Sequence, residues 1–324
     1  MVKWTEQAEV GGSGMSQGSR AGARLFAGLV ALLLWVCSSA AHAAEVVVFR
    51  SNDIAAYNQA IGSFKAALPP ASTVTEYNLQ GDLEQGRKFA KRVRASDASL
   101  ILAVGLKAAL AAKLEIVDIP VIYCMVLDPD RYDLKAPNML GVVLEVPLER
   151  QFAVIHDLLP RAKRIGVLYD PSKSGPAIGE AQRQAKSRGF ELSARSVASE
   201  KDVPMATRSL LPQVDALLLI PDSTVLNEDS LRFLLGTGLD LNVPIVGFSA
   251  EFVRSGALLG LSVTYQDTGR QAGQLARRII EGRLATRGDT VPPDRIRLSL
   301  NQNTAKFLRL TIPDEILRQA DDLY

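Results

Sequence analysis

Short runs of apolar residues alternate with segments of helical periodicity along most of this chain. The run at residues 216–220 is typical, because it ends abruptly at Pro221 and small polar residues follow it. Such a run predicts a strand that is buried on both faces of a parallel sheet. Strands that are separated by helices and short connections predict parallel sheets with helices on both faces. The chain is therefore predicted to have an α/β fold.

The alternation restarts near residues 143–147, which predicts two similar lobes. Strands are predicted at residues 45–49, 73–79, 99–104, 119–127, 138–146, 164–169, 191–197, 215–220, 243–247, 257–265 and 295–300. Helices are predicted at residues 53–68, 82–93, 106–114, 147–159, 175–188, 202–211, 227–239, 250–256, 267–282, 301–307 and 313–323. The expected fold class is α/β, with two Rossmann-like lobes whose parallel sheets are flanked by helices.

The N-terminal segment has the organisation of a secretory signal. Basic residues precede an apolar stretch at residues 25–36, and the small residues that follow end in Ala41-His42-Ala43. A stretch of this length is too short to span a membrane comfortably, so we expect cleavage after Ala43 and a periplasmic location. Cys37 raises the alternative of a lipoprotein anchor. This alternative ranks second, because Val36 stands where such a site requires a small residue.

Charge and residue usage exclude several functional classes. The chain has 37 basic and 35 acidic residues, so no basic excess points to a nucleic acid as a partner. After cleavage, Cys124 and His156 would be the only cysteine and histidine, which leaves no conventional Cys/His metal site. No G-x-S-x-G, P-loop or G-x-G-x-x-G motif follows a predicted strand. We therefore expect no cofactor, no metal and no catalytic residues.

Polar and aromatic residues follow many of the predicted strands. In open α/β sheets, ligands bind beyond the carboxyl ends of the strands. If the two lobes face each other, these residues converge on one cleft. The predicted ligand-binding residues are Ser51, Asn52, Gly105, Leu106, Asp128, Asp170, Asp222, Ser223, Thr224, Phe248 and Ser249. The alternative is that such residues cap helices and form turns.

The chemistry of this set suits a small zwitterion such as an amino acid. Helix N-termini favour a bound carboxylate, and Asp128, Asp170 or Asp222 could bind an ammonium group. An aspartate-dependent hydrolase or isomerase is an alternative, since Asp128 and Asp222 could approach each other. No nucleophile, metal set or base stands beside them in the sequence, which favours binding over catalysis.

Several motifs resemble one known family. Residues 159–169 read LPRAKRIGVLY, and residues 265–273 read YQDTGRQAG. Shorter matches are NMLG at 138–141, VDA at 214–216, DSTV at 222–225 and SGAL at 255–258. In this order they resemble the ABC transporter substrate-binding proteins of the tryptophan/tyrosine-binding type, which have the periplasmic binding protein type 1 fold. The resemblance covers residues 45–282.

This resemblance implies two lobes that are joined by three crossings of the chain. Lobe 1 would contain residues 45–144 and 265–290, and lobe 2 would contain residues 145–264 and 291–324. Asp222, Ser223 and Thr224 look like the ligand loop of lobe 2.

The resemblance also implies a monomer that binds a small organic ligand and delivers it to an ABC permease in the inner membrane. The alternative is a ligand-sensing module for a membrane receptor or sensor kinase. Leu106 and Phe248 stand where relatives often have polar residues, which favours a more apolar ligand.

Overall fold

The computed structural model describes residues 44–324, which form one compact unit. The predicted signal at residues 1–43, including Cys37, lies outside the described residues. Within residues 44–324, every helix is too short or too polar to cross a lipid bilayer.

Strands and helices alternate along the described chain, as the sequence predicts. The strands are β1 (Glu45–Arg50), β2 (Thr73–Asn78), β3 (Leu100–Val104), β4 (Val121–Cys124), β5 (Met139–Val142), β6 (Arg164–Tyr169), β7 (Glu191–Ser196), β8 (Ala216–Leu218), β9 (Ile245–Gly247), β10 (Leu259–Ser262), β11 (Thr290–Val291), β12 (Arg297–Leu300) and β13 (Asp322–Leu323). The α-helices are α1 (Ala55–Ala67), α2 (Leu83–Val93), α3 (Leu106–Glu115), α4 (Leu148–Leu158), α5 (Pro171–Ser187), α6 (Val203–Leu210), α7 (Glu228–Asp240), α8 (Ala250–Arg254), α9 (Tyr265–Ile280), α10 (Gln302–Phe307) and α11 (Asp314–Gln319).

The strands form two sheets. The first has the order β11-β5-β4-β3-β1-β2, and all of its pairings are parallel. The second has the order β13-β12-β10-β9-β8-β6-β7, in which only the β10–β12 pairing is antiparallel. Because parallel strands all end at the same edge, each sheet presents the residues that follow its strands along one edge.

Both faces of the first sheet are buried, as a continuous apolar run predicts. In β1, Val46 and Val48 pack with residues of α1 and α9 on one face. Val47 and Phe49 pack with residues of α2 and α3 on the other face. The second sheet is covered in the same way by two further apolar clusters, one on each face.

The chain passes between the two sheets three times. β5 of the first sheet is followed by α4, which packs on the second sheet. After β10 the chain returns with α9, which packs against α1 and the first sheet. The third passage lies between β11 of the first sheet and β12 of the second. The assignment of lobe boundaries at 144/145, 264/265 and 290/291 stays a prediction.

The sequence placed the start of α5 four residues too late. The helix begins at Pro171, and the Asp170 carboxylate caps it by accepting a hydrogen bond from the Ser172 N–H at 2.8 Å. Proline suits the first helical position because its missing N–H would have no partner there. Gly175 and Pro176 therefore lie inside a helix that the sequence interpretation began at residue 175.

The C-terminal segment also differs from the prediction. The sequence indicates one helix over residues 313–323, whereas α11 ends at Gln319 and β13 follows it. β13 pairs with β12, and the equally short β11 pairs with β5. Two-residue strands are formed by pairing with distant parts of the chain, so local periodicity cannot predict them.

Candidate ligand-binding site

The carboxyl ends of β1 and β3 bring Ser51, Asn52, Gly105 and Leu106 together. Ser51 is buried, and its hydroxyl oxygen accepts a hydrogen bond from the Ala108 N–H at 2.9 Å. This bond stabilises the first turn of α3. Leu106 is partly buried and packs against the apolar cluster on that face of the sheet. Ligand contacts by these four residues stay a prediction.

Gly105 occupies a position that requires glycine for two reasons. Its φ is +85°, in the left-handed region that side chains with a Cβ rarely adopt. A Cβ there would lie 2.8 Å from the Ser51 Oγ and 2.5 Å from the Tyr57 hydroxyl oxygen. Because glycine has no Cβ, the backbone at residue 105 can approach Ser51 and Tyr57 closely and turn directly from β3 into α3.

Asn52 and Asp128 remain exposed at this edge. The Asn52 Oδ1 accepts a hydrogen bond from the Asp53 N–H at 2.9 Å, which orients the start of the next segment. Asp128 follows β4 and has a φ of +47°. Met125 and Asp133 also have positive φ, so three non-glycine residues within nine positions adopt this uncommon conformation. Such clusters occur at ligand clamps and switch regions.

At the second sheet, Asp170, Asp222 and Thr224 form one buried hydrogen-bonded group. Asp222 Oδ2 accepts hydrogen bonds from the Asp170 N–H at 2.7 Å and from the Ser174 hydroxyl at 2.8 Å. The Thr224 hydroxyl donates to Asp170 Oδ2 at 2.7 Å, and the Thr224 N–H donates to Asp222 Oδ1 at 2.9 Å. These bonds tie the end of β6 to the segment after β8.

The group explains the low pKa of Asp170. The hydrogen bond from the Thr224 hydroxyl has the largest effect, followed by those from the hydroxyl and N–H of Ser172, and together they hold the pKa of Asp170 below its usual 3.8. A carboxylate that accepts several hydrogen bonds is favoured in its charged form. Both aspartates therefore have structural partners without a ligand, as the capping alternative predicts.

The other residues predicted at this edge differ in exposure. Ser223 is exposed and accepts a hydrogen bond from the Lys173 ammonium at 2.8 Å. Phe248 stacks edge-on against Phe252, with ring centroids 4.8 Å apart. Ser249 caps α8, and its hydroxyl accepts a hydrogen bond from the Phe252 N–H.

A cavity of about 450 Å³ lies between the ends of the second sheet and the connecting segments. Its walls are largely apolar, and its polar side chains belong to Glu145, Gln151, Ser249, Ser262 and Tyr265. The apolar lining residues are Leu127, Leu144, Val146, Leu148, Ala177, Leu219, Ile220, Pro221, Phe248, Leu261 and Val263. This volume and this combination of apolar walls with a few polar groups are typical of a site for a small organic molecule.

Of the eleven predicted ligand-binding residues, Phe248 and Ser249 line this cavity. Asp128 and Asp222 are sequence neighbours of the lining residues Leu127 and Pro221, and the other seven predicted residues do not line the cavity. Sequence reasoning missed Glu145, because it was placed inside a predicted strand. The signal that could have identified it is a charged residue next to the restart of the strand–helix alternation.

A larger depression of about 870 Å³ lies at the β11 edge of the first sheet. Its cationic residues include Lys135, which pairs with Asp130, and Arg283, which pairs with Glu281. None of its lining residues belongs to the second sheet or to its covering helices. We therefore regard the smaller, apolar cavity as the candidate ligand site. In residues 44–324, no group of three or more His, Cys, Asp or Glu side chains is arranged to hold a metal ion.

Two sheets of mostly parallel strands, three passages between them and a cavity at their facing ends define a two-lobed ligand-binding protein of the periplasmic binding protein type 1 architecture. A family described as ABC transporter substrate binding protein matches residues 64–324, and the chain belongs to this family. The predicted fold class and family are both confirmed. The chain is thus the solute-binding component of an ABC transport system, and members of this class act outside the cytoplasm with a permease.

Individual relatives support this assignment. A tyrosine-binding protein of Clostridioides difficile strain R20291 is 26% identical over 239 residues, which cover 71% of this chain and 69% of the relative. The ligand-free, open structure of CD0873, a substrate-binding protein with adhesive properties from Clostridium difficile, is 21% identical. It has a TM-score of 0.72 and covers 86% of this chain and 98% of that one.

A third similar structure is an ABC domain from Streptococcus pneumonia in complex with L-Trp. It is 20% identical and has a TM-score of 0.57, covering 87% of this chain and all of that one. At these identities, the structural likeness shows the fold alone.

Proposed function

We propose that this protein is a periplasmic binding protein that delivers an amino acid with an apolar, aromatic side chain to an ABC permease in the inner membrane. The observation that carries the proposal is the apolar cavity of about 450 Å³ at the facing ends of the sheets. Its lining includes the phenyl ring of Phe248, the phenol of Tyr265 and several aliphatic side chains, which together suit an aromatic ring.

Two relatives support this ligand class. One is named for tyrosine, and the other was solved with L-Trp. Both ligands combine an aromatic ring with an α-amino acid group. The cavity offers apolar walls for the ring, and the polar residues at its rim are available for the charged groups.

The binding mechanism is closure of the two lobes over the ligand. The three passages between the sheets provide the hinge, because a few residues in connecting segments can absorb a rotation of one lobe against the other. Residues after β8 and β9 would hold the ligand first. Asn52, Gly105 and Leu106 of the other lobe would then cover it.

The proposed role is binding without catalysis. Asp222, which the catalytic alternative pairs with Asp128, is occupied by hydrogen bonds from the Asp170 N–H, the Ser174 hydroxyl and the Thr224 N–H. His156 is exposed on α4 beside Asp157 and does not line the cavity. The protein would act as a monomer. Its near-neutral balance of 37 basic and 35 acidic residues gives no electrostatic reason for binding nucleic acid.

Thermal denaturation with a panel of amino acids tests this proposal. A ligand that binds only the native state stabilises it by about 2.7 kcal/mol at a concentration of 100 Kd. For a chain of this size, we expect the melting temperature to rise by roughly 5 to 10 °C with L-tyrosine or L-tryptophan. Phe248→Ala should reduce this rise, whereas Phe233→Ala, whose ring lies outside the cavity, should leave it unchanged.

Two results would contradict the proposal in whole or in part. If no amino acid raises the melting temperature at saturating concentration, and the natively purified protein carries no small molecule by mass spectrometry, the proposed function is wrong. A co-purified molecule without an aromatic ring would retain a binding role but exclude the proposed ligand class.

A further inference from the structure

Among the described residues that line the apolar cavity of about 450 Å³, Glu145 has the only charged side chain. It lies in the first passage between the sheets, after β5 and before α4. Its neighbours Leu144 and Val146 also line the cavity, so Glu145 lies between two apolar lining residues. The lining residues among residues 44–324 include no lysine, arginine or histidine.

The charged group that acts on Glu145 is a second carboxylate. Partial burial by the surrounding protein is the main cause that raises the pKa of Glu145, and the nearby Asp128 carboxylate raises it further. The Asp128 backbone N–H acts in the opposite direction and lowers the pKa of Glu145. Although Glu145 keeps access to solvent, its charged form is thus disfavoured relative to that of a glutamate in water.

Asp128 is held beside Glu145 by an unusual segment. The segment after β4 contains the left-handed residues Met125 and Asp128, and between them Leu127 exposes 58% of its surface while it lines the cavity. An exposed leucine that lines the cavity and an exposed carboxylate next to it in the chain suit a ligand with an apolar part and a cationic part.

We propose that Glu145 binds the protonated amino group of the ligand, with Asp128 as a second carboxylate, and that the ligand's apolar part fills the cavity. The amino group is then the charged group that the site requires, and the ligand's carboxylate is dispensable. This inference rests on the proposed function and specifies the chemistry of its ligand.

The physical reason is that both charged groups named at the site, Glu145 and Asp128, are negative. Two neighbouring carboxylates attract a cation and repel an anion, and the low dielectric of an apolar cavity strengthens both effects. An ammonium between them would remove the unfavourable interaction of Glu145 with Asp128 and add charge-assisted hydrogen bonds. A ligand that carries only a carboxylate would place a third negative charge near these two carboxylates.

Titration calorimetry with three matched compounds tests the proposal. L-Tyrosine has both charged groups, tyramine lacks the carboxylate, and 3-(4-hydroxyphenyl)propionate lacks the amine. We expect tyramine to bind within about tenfold of L-tyrosine, and the propionate to bind at least ~10-fold more weakly than tyramine. L-Tryptophan, tryptamine and indole-3-propionate form a parallel set.

Variants identify the residue that is responsible. Glu145→Gln keeps the shape of the side chain and removes its charge, so it should weaken binding of both amines at least ~10-fold. The matched control is Glu149→Gln, because Glu149 lies four residues further on, pairs with Arg188 and does not line the cavity. The control should bind like the wild type, and melting curves without ligand should show that both variants fold.

The outcomes separate this inference from the proposed function. If the amino acids bind but Glu145→Gln binds them as tightly as the wild type does, the inference is wrong and the proposed function stands. If the propionates bind more tightly than the amines, the inference is also wrong and the proposed function also stands. If no compound of either set binds the wild type, the aromatic ligand class fails and this inference fails with it.

Discussion

At the scale of single residues, Asp170, Asp222 and Thr224 illustrate how a strand-end residue can have two interpretations. Their positions after β6 and β8 predicted ligand contacts, and the same positions also suit helix caps. In the structure their side chains are buried and hydrogen-bonded to one another or to neighbouring N–H groups. Their first role is therefore to hold the ends of two strands together.

The low pKa of Asp170 predicts a pH-dependent contribution to stability. A group whose pKa is lower in the folded state contributes stability that is complete above the unfolded value, here 3.8, and is lost as the pH falls through the folded value. Asp170→Asn should therefore melt at a lower temperature than the wild type at pH 7, and the difference should narrow below about pH 4.

The matched control is Asp229→Asn, because Asp229 is almost fully exposed and pairs only with a surface arginine. Its melting temperature should stay close to that of the wild type throughout the same pH series. A difference between Asp170→Asn and wild type that stays constant from pH 7 to pH 3 would contradict the role assigned to the Asp170 charge.

At the scale of elements, the packing of α9 on α1 fixes how the returning chain joins the first sheet. A Cβ on Gly269 would collide with the carbonyl oxygen of Ala60, and one on Gly273 would lie 2.6 Å from that of Phe64. The two glycines therefore allow the helix backbones to approach closely. The sequence predicted an amphipathic helix here but gave no information about the helix against which it packs.

Gly269→Ala should consequently lower the free energy of unfolding by about 3 kcal/mol, since a backbone atom cannot move aside as a flexible side chain can. Gly62→Ala is the control, because Gly62 lies in α1 itself, is exposed and has open space at its Cβ position. That substitution should stabilise the protein by roughly 0.5 kcal/mol. Chemical denaturation measures both, and equal effects at the two positions would refute the close-packing explanation.

At the scale of the whole molecule, three connecting segments join the two sheets within residues 44–324. The candidate site lies where these segments meet the facing ends of the strands, so closure of the lobes would change the size of the cavity. Glu145 lies in one of the connecting segments, and Tyr265 follows another. Ligand binding and lobe movement would therefore act on the same residues.

Small-angle X-ray scattering can detect this closure. A fully compact chain of 324 residues has a radius of gyration of about 20 Å. We expect a larger value without ligand and a decrease toward this value with the ligand that raises the melting temperature. A non-binding amino acid at the same concentration provides the control, and an unchanged radius at saturation would argue against closure.

The sequence predicted the local features well, because they depend on nearby residues. The apolar runs of β1 and β3 are strands with both faces buried, and Asp82 caps α2 at the predicted position. The start of α5 was missed because Asp170, Pro171 and Ser172 were interpreted as the polar end of the preceding strand, whereas Asp170 caps the helix and Pro171 begins it. The predicted site residues lie at strand ends, but most of them do not line the cavity.

By itself, the sequence determined the α/β alternation, the two-part organisation and the family, since each is carried by periodicity or by a continuous motif. Only the tertiary structure decided the two-residue strands β11 and β13, the contact between α9 and α1, and the position of Glu145 beside Asp128. Each of these depends on segments that are distant in the chain. Burial and charge interactions between such segments arise only after the chain has folded, so no local pattern records them.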